Sequence, residues 1–178
     1  MDAVTDKEAI RMRNLSVRRL TLAGVLAALV FVMTAIPRLP VGVTGGYVHL
    51  GDGAIFLAAM LIGPLSIPAA AIGSGLSDLM GGYMVYVLPT MLIKALMALV
   101  VWRIWRADAW LRAAVAFVAA EAVMVAGYFA LEALLYGTAT AWAAVLPNVF
   151  QGVAGVALGL VCHALYPRMK PLIRQLTA

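Results

Sequence analysis

The chain has 178 residues, of which 65% are hydrophobic and only 12% are charged. A soluble domain has about 25% charged residues and buries only about 70% of its surface at this size, so this chain needs lipid as its solvent. The composition leaves no room for a nucleotide-binding domain outside the membrane, and the net charge of +5 indicates membrane topology rather than a nucleic-acid partner. One cysteine and two histidines exclude a disulfide framework and indicate no metal cluster.

Six apolar segments follow one another between polar ends, and glycine or proline separates several of them. Because a membrane-spanning helix needs about 20 mainly apolar residues, a chain of this length has room for six. The predicted helices are 20–36, 47–62, 65–80, 85–105, 109–136 and 141–166, with Pro147 kinking the last one and Pro167 ending it. The prediction is an all-α polytopic membrane protein with a cytoplasmic segment 1–19, a six-helix membrane domain 20–166 and a cytoplasmic tail 167–178.

The basic residues predict the orientation of the helices. Eleven of the 13 lysines and arginines lie in segment 1–19, in the 103–112 loop or in the tail. With six spans these three regions face the same side, and the positive-inside rule places that side in the cytoplasm. Both termini are therefore expected inside, with Arg38 in an outer loop and Lys94 within a helix as the exceptions.

Polar side chains fall at a common depth in this arrangement. Five helices place polar groups in their outer halves, whereas the cytoplasmic halves have almost none. Inserting an ionisable side chain at mid-membrane costs about 2.5–3.5 kcal/mol, so each one is expected to have a structural or functional role. We therefore predict a small-molecule pocket that opens to the outside, with no catalytic and no metal-binding residue. The candidate substrate-binding residues are His49, Asp52, Tyr83, Tyr86, Lys94, Tyr128, Glu132, Asn148 and Gln151.

The charged candidates also have structural interpretations. Asp52 follows Gly51, which fits a cap of the second helix. A buried Lys94 needs a partner of opposite charge, and either Asp78 or Glu132 would neutralise it. Glu132 also fits a carboxylate that reaches the lipid headgroups.

The uncharged candidates have structural alternatives of their own. Tyr83 and Tyr86 lie where an interfacial aromatic belt is expected. Asn148 and Gln151 are one helical turn apart, which also fits hydrogen bonds between helices. Glu121 lies deeper, and we interpret it as a helix–helix contact outside the site.

Two stretches and a pair of alanines carry a resemblance to a known family. Ala23 and Ala27 are four residues apart in the first predicted helix, a spacing that lets helices approach closely within the fold or against a partner. The stretches are YVHLGDGAIFLAA from Tyr47, which runs on to Gly63-Pro64, and GSGLSDLMGGY from Gly73. Over about residues 15–170 the chain resembles the substrate-binding S component of energy-coupling factor (ECF) vitamin transporters. Within that family it is similar to the subgroup for thiamine-precursor pyrimidine or vitamin B6, in a wider set that includes riboflavin and pantothenate carriers.

The resemblance implies a function and a set of partners. A vitamin binds near the outer face, here vitamin B6 or hydroxymethylpyrimidine, and Ala23 and Ala27 contact a membrane coupling subunit. Two ATPase subunits complete the complex and use the ATP, so this chain needs no cofactor of its own. The expected location is the plasma membrane of a bacterium or archaeon.

Two other classes of function fit less well. A self-sufficient ion-coupled carrier would use Asp78, Lys94 and Glu132, but no polar path continues inward from them. An intramembrane enzyme would pair Ser74 with His163, whose predicted depths differ by about 10 Å at 1.5 Å per residue. That separation exceeds the hydrogen-bond reach that a catalytic pair needs.

Overall fold

The protein is a bundle of α-helices, seen in a computed structural model that describes residues 17–36, 38–40 and 47–177. Two single turns of 3₁₀ helix lie at Gly63–Leu65 and Met84–Tyr86, and Leu39–Pro40 pairs antiparallel with Tyr47–Val48. The predicted all-helical membrane class is confirmed. The helices are α1 (Val17–Ala35), α2 (Gly51–Ile62), α3 (Ser66–Gly81), α4 (Val87–Ile104), α5 (Trp110–Tyr136) and α6 (Thr138–Thr177).

Five helical runs in the described part of the chain are long and apolar enough to cross a membrane, and one of them is the 31-residue run Gly51–Gly81. That run contains both α2 and α3. With 12 residues, α2 rises about 18 Å, which is less than the roughly 30 Å of a bilayer's hydrocarbon core. By length alone, α2 therefore does not count as a separate span.

Contacts with α1 show that α2 and α3 form a hairpin. Near the start of α1, Ala23 packs in one cluster with Ile62 and Ala69, the end of α2 and the start of α3. Near its other end, Thr34 contacts Gly51, at the start of α2. Thus α2 runs antiparallel to α1, and the chain reverses at Gly63, whose φ of +58° is a conformation that glycine adopts without steric cost.

Five of the helices pack side by side, and α2 packs against several of them. Neighbouring pairs are α1 with α3, α3 with α4, α4 with α5, and α5 with α6, while α2 contacts α1, α4 and α6. The core combines alanines with larger side chains such as Ile55 and Met97, and it contains a stacked pair, Phe56 and Phe117, whose ring centroids are 4.9 Å apart. Large apolar side chains such as Leu88 and Leu134 are instead exposed on the outside. This exposure of large apolar side chains matches lipid as the surrounding solvent.

Two predicted helix ends were wrong. The second helix begins at Gly51 rather than at residue 47, because Tyr47–Val48 pairs with Leu39–Pro40. The last helix continues through Pro167 and Pro171 to Thr177, and the residues between the two prolines are good helix formers. Segment 1–16 lies outside the described residues.

Candidate substrate-binding site

A buried ion pair links α2 to α4. Asp52 lies in the first turn of α2, and its Oδ1 is 2.5 Å from Nζ of Lys94, with both side chains fully buried. The expectation that Asp78 or Glu132 neutralises Lys94 was therefore wrong, because Asp52 is the ion-pair partner. Asp52 is also not a helix cap, since the cap position is Leu50 and makes no side-chain capping bond.

Gln151 ties α6 into the same network. Its Nε2 donates to Oδ2 of Asp52 at 2.7 Å, and its Oε1 accepts the backbone N–H of His49 at 3.0 Å. The backbone N–H of Gly51 donates to Nδ1 of His49 at 3.0 Å. Burial lowers the pKa of His49 far below its ordinary value, against the opposing attraction of Asp52. The imidazole is therefore neutral, as its role as an acceptor requires.

Tyr128 on α5 connects this network to further polar groups. Its ring centroid is 5.7 Å from Nζ of Lys94, within the range of a cation–π interaction. Its hydroxyl shares a hydrogen bond of 3.0 Å with Oγ1 of Thr90. Tyr128 also lies within electrostatic range of Asp78 and Glu132. The structure thus brings together groups from α2, α3, α4, α5 and α6.

Tyr86 and Glu132 form a second cluster near the end of α5. Glu132 is buried, and its Oε2 has no hydrogen-bond partner among the described residues. The hydroxyl of Tyr86 is buried and makes no hydrogen bond of ordinary geometry with the described residues, but the Glu132 carboxyl group and the Tyr136 hydroxyl lie close enough to interact with it. A buried Glu132 oxygen is therefore available to a bound molecule, with the Tyr86 hydroxyl near it.

Two of the predicted residues lie outside these clusters. Tyr83 is half-buried, and its ring centroid is 5.8 Å from the guanidinium carbon of Arg38. Arg38 in turn donates to the carbonyl and hydroxyl oxygens of Ser77, both at 2.7 Å, so this group joins the end of α1 to α3. Asn148 is half-buried and lies one turn before Gln151, apart from the ion-pair network.

Glu121 belongs with the network although sequence reasoning left it out. Its carboxyl group packs against Gly155, next to Asp52, and interacts electrostatically with both Asp52 and Lys94. Neither carboxyl oxygen has a hydrogen-bond partner among the described residues, which costs about 1–3 kcal/mol or more. A signal was present: Glu121 is 7 residues before Tyr128 and 11 before Glu132, spacings that share one helix face.

The predicted docking alanines lie on a lateral groove between α1 and α3 of about 570 Å³. Ala23 is only 8% exposed and packs inside against α2 and α3, so internal packing accounts for this residue. Ala27 is half-buried, whereas Gly24 and Ala28 are exposed. The groove therefore offers small residues to a partner mainly through Gly24, Ala27 and Ala28.

The family comparison agrees with this architecture. The model of the family described as "ECF-type riboflavin transporter, S component" matches residues 14–168. The chain belongs to this family. It is a substrate-carrying subunit of a vitamin or vitamin-precursor transporter and not an enzyme. The resemblance inferred from the sequence is confirmed.

Two related proteins align with most of this chain. One is the thiamine precursor transporter HmpT of Lactococcus lactis, 31% identical over 165 residues, which are 88% of this chain and 92% of the relative. The other is an uncharacterized protein from the gap 3′ region of Pyrococcus woesei, 34% identical over 132 residues, which are 73% of this chain and 88% of the relative. The similarity to HmpT supports the thiamine-precursor subgroup.

The rejected enzyme hypothesis also fails on geometry. Nδ1 of His163 accepts the indole N–H of Trp105 at 3.1 Å, and Trp110 packs edge-on against the imidazole at 4.5 Å. The hydroxyl of Ser74 is buried and has no hydrogen-bond partner among the described residues. The two side chains thus form no catalytic pair.

Proposed function

We propose that this S component binds a thiamine-precursor pyrimidine or vitamin B6 between α2, α4, α5 and α6, and imports it with an ATP-driven module. The observation that carries the proposal is the pairing of a satisfied polar network, Lys94–Asp52–Gln151, with a buried Glu132 carboxyl oxygen that has no hydrogen-bond partner among the described residues and lies near the Tyr86 hydroxyl. A rigid framework beside free hydrogen-bonding groups is what a preformed small-molecule site needs.

The chemistry of these groups suits a small neutral heteroaromatic molecule. Glu132 accepts a hydrogen bond from an amino or hydroxymethyl group, and the Tyr86 hydroxyl donates to a ring nitrogen. The Tyr128 ring supplies a flat surface, with Lys94 already held by Asp52 at 2.5 Å. Asn148 and His49 lie beside this arrangement and remain candidates for direct contact. The name of the relative HmpT favours the pyrimidine over vitamin B6.

The first test identifies the ligand directly. Mass spectrometry of molecules released from gently purified protein is followed by tryptophan-fluorescence titration with hydroxymethylpyrimidine, pyridoxine, riboflavin and pantothenate. We expect one of the first two to bind stoichiometrically. If none of the four compounds gives a saturable response, the proposal is contradicted.

A pair of tyrosine variants tests the placement of the site. Tyr86→Phe removes the hydroxyl near Glu132, and we expect binding to weaken about tenfold because one hydrogen bond to the ligand is lost. Tyr166→Phe is the matched control, since Tyr166 packs on Trp105 at the far end of the bundle. Equal affinities of the two variants, measured by the same titration, would place the ligand elsewhere.

We further propose that a membrane coupling subunit docks on the α1–α3 groove and that two ATPase subunits complete the importer in the plasma membrane of a bacterium or archaeon. Gly24→Leu fills the groove without an internal clash, because no atom lies within 4 Å of a Cβ at Gly24. We expect this variant to keep vitamin binding and lose copurification with the coupling module. Ala130→Leu, on the exposed side of α5, is the control.

The alternative to this ATP-driven importer is a self-sufficient carrier, and a transport assay distinguishes the two. Proteoliposomes that contain the S component alone should bind the vitamin without concentrating it. Uptake driven by a proton gradient in the absence of ATPase subunits would overturn the ATP-driven proposal and leave the binding proposal intact.

A further inference from the structure

Two apolar grooves meet on the lateral surface of α5. The first has a volume of about 340 Å³ and is lined by α5 residues between Ala114 and Ala122. The second lies between α5 and α6, reaches Phe129, and has a volume of about 660 Å³. Val118 and Ala122 line both grooves. The two grooves therefore form one continuous depression from Ala114 to Phe129, which we name the α5 track.

The first part of the α5 track has the length of a lipid acyl chain. Val125, which lines the second groove, is 11 residues after Ala114 and therefore about 16 Å further along the helix. One leaflet contributes half of the hydrocarbon core, or about 15 Å. An acyl chain in the track contacts protein along its whole length, and such contacts are individually weak but add up.

Positive charge is confined to one end of the α5 track. The connection before α5 and its first turn contain Arg103, Arg106 and Arg112, against one acidic residue, Asp108. Residues 113–167 contain no lysine or arginine, so the Phe129 end of the track has no cation. A ligand with an apolar tail and a negative head therefore matches the track in one orientation, as basic clusters beside a membrane span match anionic lipids.

Arg112 is the basic residue in line with the track. It precedes Val115 by three residues and Ala119 by seven, and both of these residues line the first groove. Residues at these spacings share one helix face. Because side chains on a helix lean toward its N-terminus, Arg112 extends from the start of the track toward the α4–α5 connection, where a lipid phosphate would lie.

The guanidinium group of Arg112 is also the one whose donors are available. Arg112 is exposed and makes no hydrogen bond or ion pair with another described residue. The guanidinium group of Arg103 instead packs on the ring of Trp102 at 4.8 Å, and that of Arg106 donates to the carbonyl oxygen of Trp105 at 2.8 Å. The planar fork of an arginine matches two oxygens of a phosphate group.

We propose that the α5 track binds one anionic phospholipid from the leaflet beside the α4–α5 connection. The phosphate accepts hydrogen bonds from Arg112, and one acyl chain lies in the track as far as Val125. The site uses neither the polar network around Asp52 nor the α1–α3 groove, so it is independent of the vitamin and of the coupling subunit.

The headgroup contact is tested by native mass spectrometry of the full chain. The protein is equilibrated in mixed micelles with equal amounts of phosphatidylglycerol and phosphatidylcholine that have the same acyl chains. We expect one retained lipid, with phosphatidylglycerol preferred about tenfold, the effect of one charged hydrogen bond. Arg112→Gln should remove most of this preference. Arg168→Gln, the same change at an exposed position of α6, should keep it.

Two tryptophan substitutions test where the acyl chain lies. Ala122→Trp fills the point where the two grooves meet and should lose the retained lipid, whichever headgroup it has. Ala157→Trp, which is exposed on α6 and lines neither groove, should retain it. All four substituted positions are exposed, so none of these changes alters the core.

Three results would overturn the proposal. Equal retention of the two lipids by the unaltered chain would show that the headgroup is not recognised. An equal loss of preference in Arg112→Gln and Arg168→Gln would show a diffuse attraction to the basic end of the bundle instead of a site. Equal retention by Ala122→Trp and Ala157→Trp would place the acyl chain outside the α5 track.

Discussion

Lys94 and Asp52 depend on each other because neither is in contact with water. Asp52→Asn leaves a buried ammonium group without its counter-charge, and we expect the stability of the folded protein to fall by about 3–5 kcal/mol. Combining Asp52→Asn with Lys94→Met removes both charges and keeps an acceptor for Gln151, so most of the loss should be recovered. Thermal unfolding in detergent, followed by tryptophan fluorescence, measures both effects. A double variant no more stable than Asp52→Asn would contradict the pairing.

The sequence predicted that Lys94 needs a carboxylate, but it indicated Asp78 or Glu132 instead of Asp52. Depth along each helix follows from position in the chain, whereas the rotation of one helix against another depends on packing that a single sequence does not reveal. Asp52 and Asp78 had similar predicted depths, and both α2 and α3 pack against α4, but it is Asp52 that reaches Lys94. For the same reason Gln151 entered the network while Asn148, one turn away, did not.

Close helix contacts depend on glycine at particular positions. A Cβ on Gly73 would lie 2.5 Å from the carbonyl oxygen of Ala27 and 2.9 Å from Cβ of Val30, so α1 and α3 would have to separate. We expect Gly73→Ala to destabilise the protein by about 1–3 kcal/mol, the usual cost of overpacking. Gly24→Ala is the matched control on α1 and should be neutral or stabilise by up to about 1 kcal/mol. Equal melting temperatures of the Gly73→Ala and Gly24→Ala variants would contradict the predicted clash between residue 73 and α1.

Most of the helices were predictable because their signals are local. Gly63-Pro64 predicted the reversal between α2 and α3, and Gly137 marked the end of α5. The start of α2 was not predictable, since it depends on pairing between Leu39–Pro40 and Tyr47–Val48. Pro167 was misleading because the helix continues through it into Arg168, Met169 and Lys170, which favour helical structure.

The orientation of the whole molecule remains a prediction from its charges. With Cys162 replaced by alanine, Thr138→Cys should react with an impermeant maleimide on intact cells, because the α5–α6 connection is expected outside. Asp108→Cys, in the exposed connection between α4 and α5, should react only after lysis, since Arg103, Arg106 and Arg112 keep that side in the cytoplasm. The reverse labelling pattern would invert the topology.

The shortness of α2 has a consequence for the depth at which the polar network lies. The turn at Gly63 lies beside Trp102, near the end of α4, and α2 then reaches only about 18 Å from that level to Asp52 and the end of α1. Ten of the 12 residues of α2 are buried inside the bundle, so its length is matched to the neighbouring helices rather than to the lipid. About 18 Å of protein therefore separates Asp52 from the level of Gly63, compared with the roughly 30 Å of a hydrocarbon core. In the proposed function, a vitamin bound beside Asp52 has crossed part of the membrane's depth before any ATP is used.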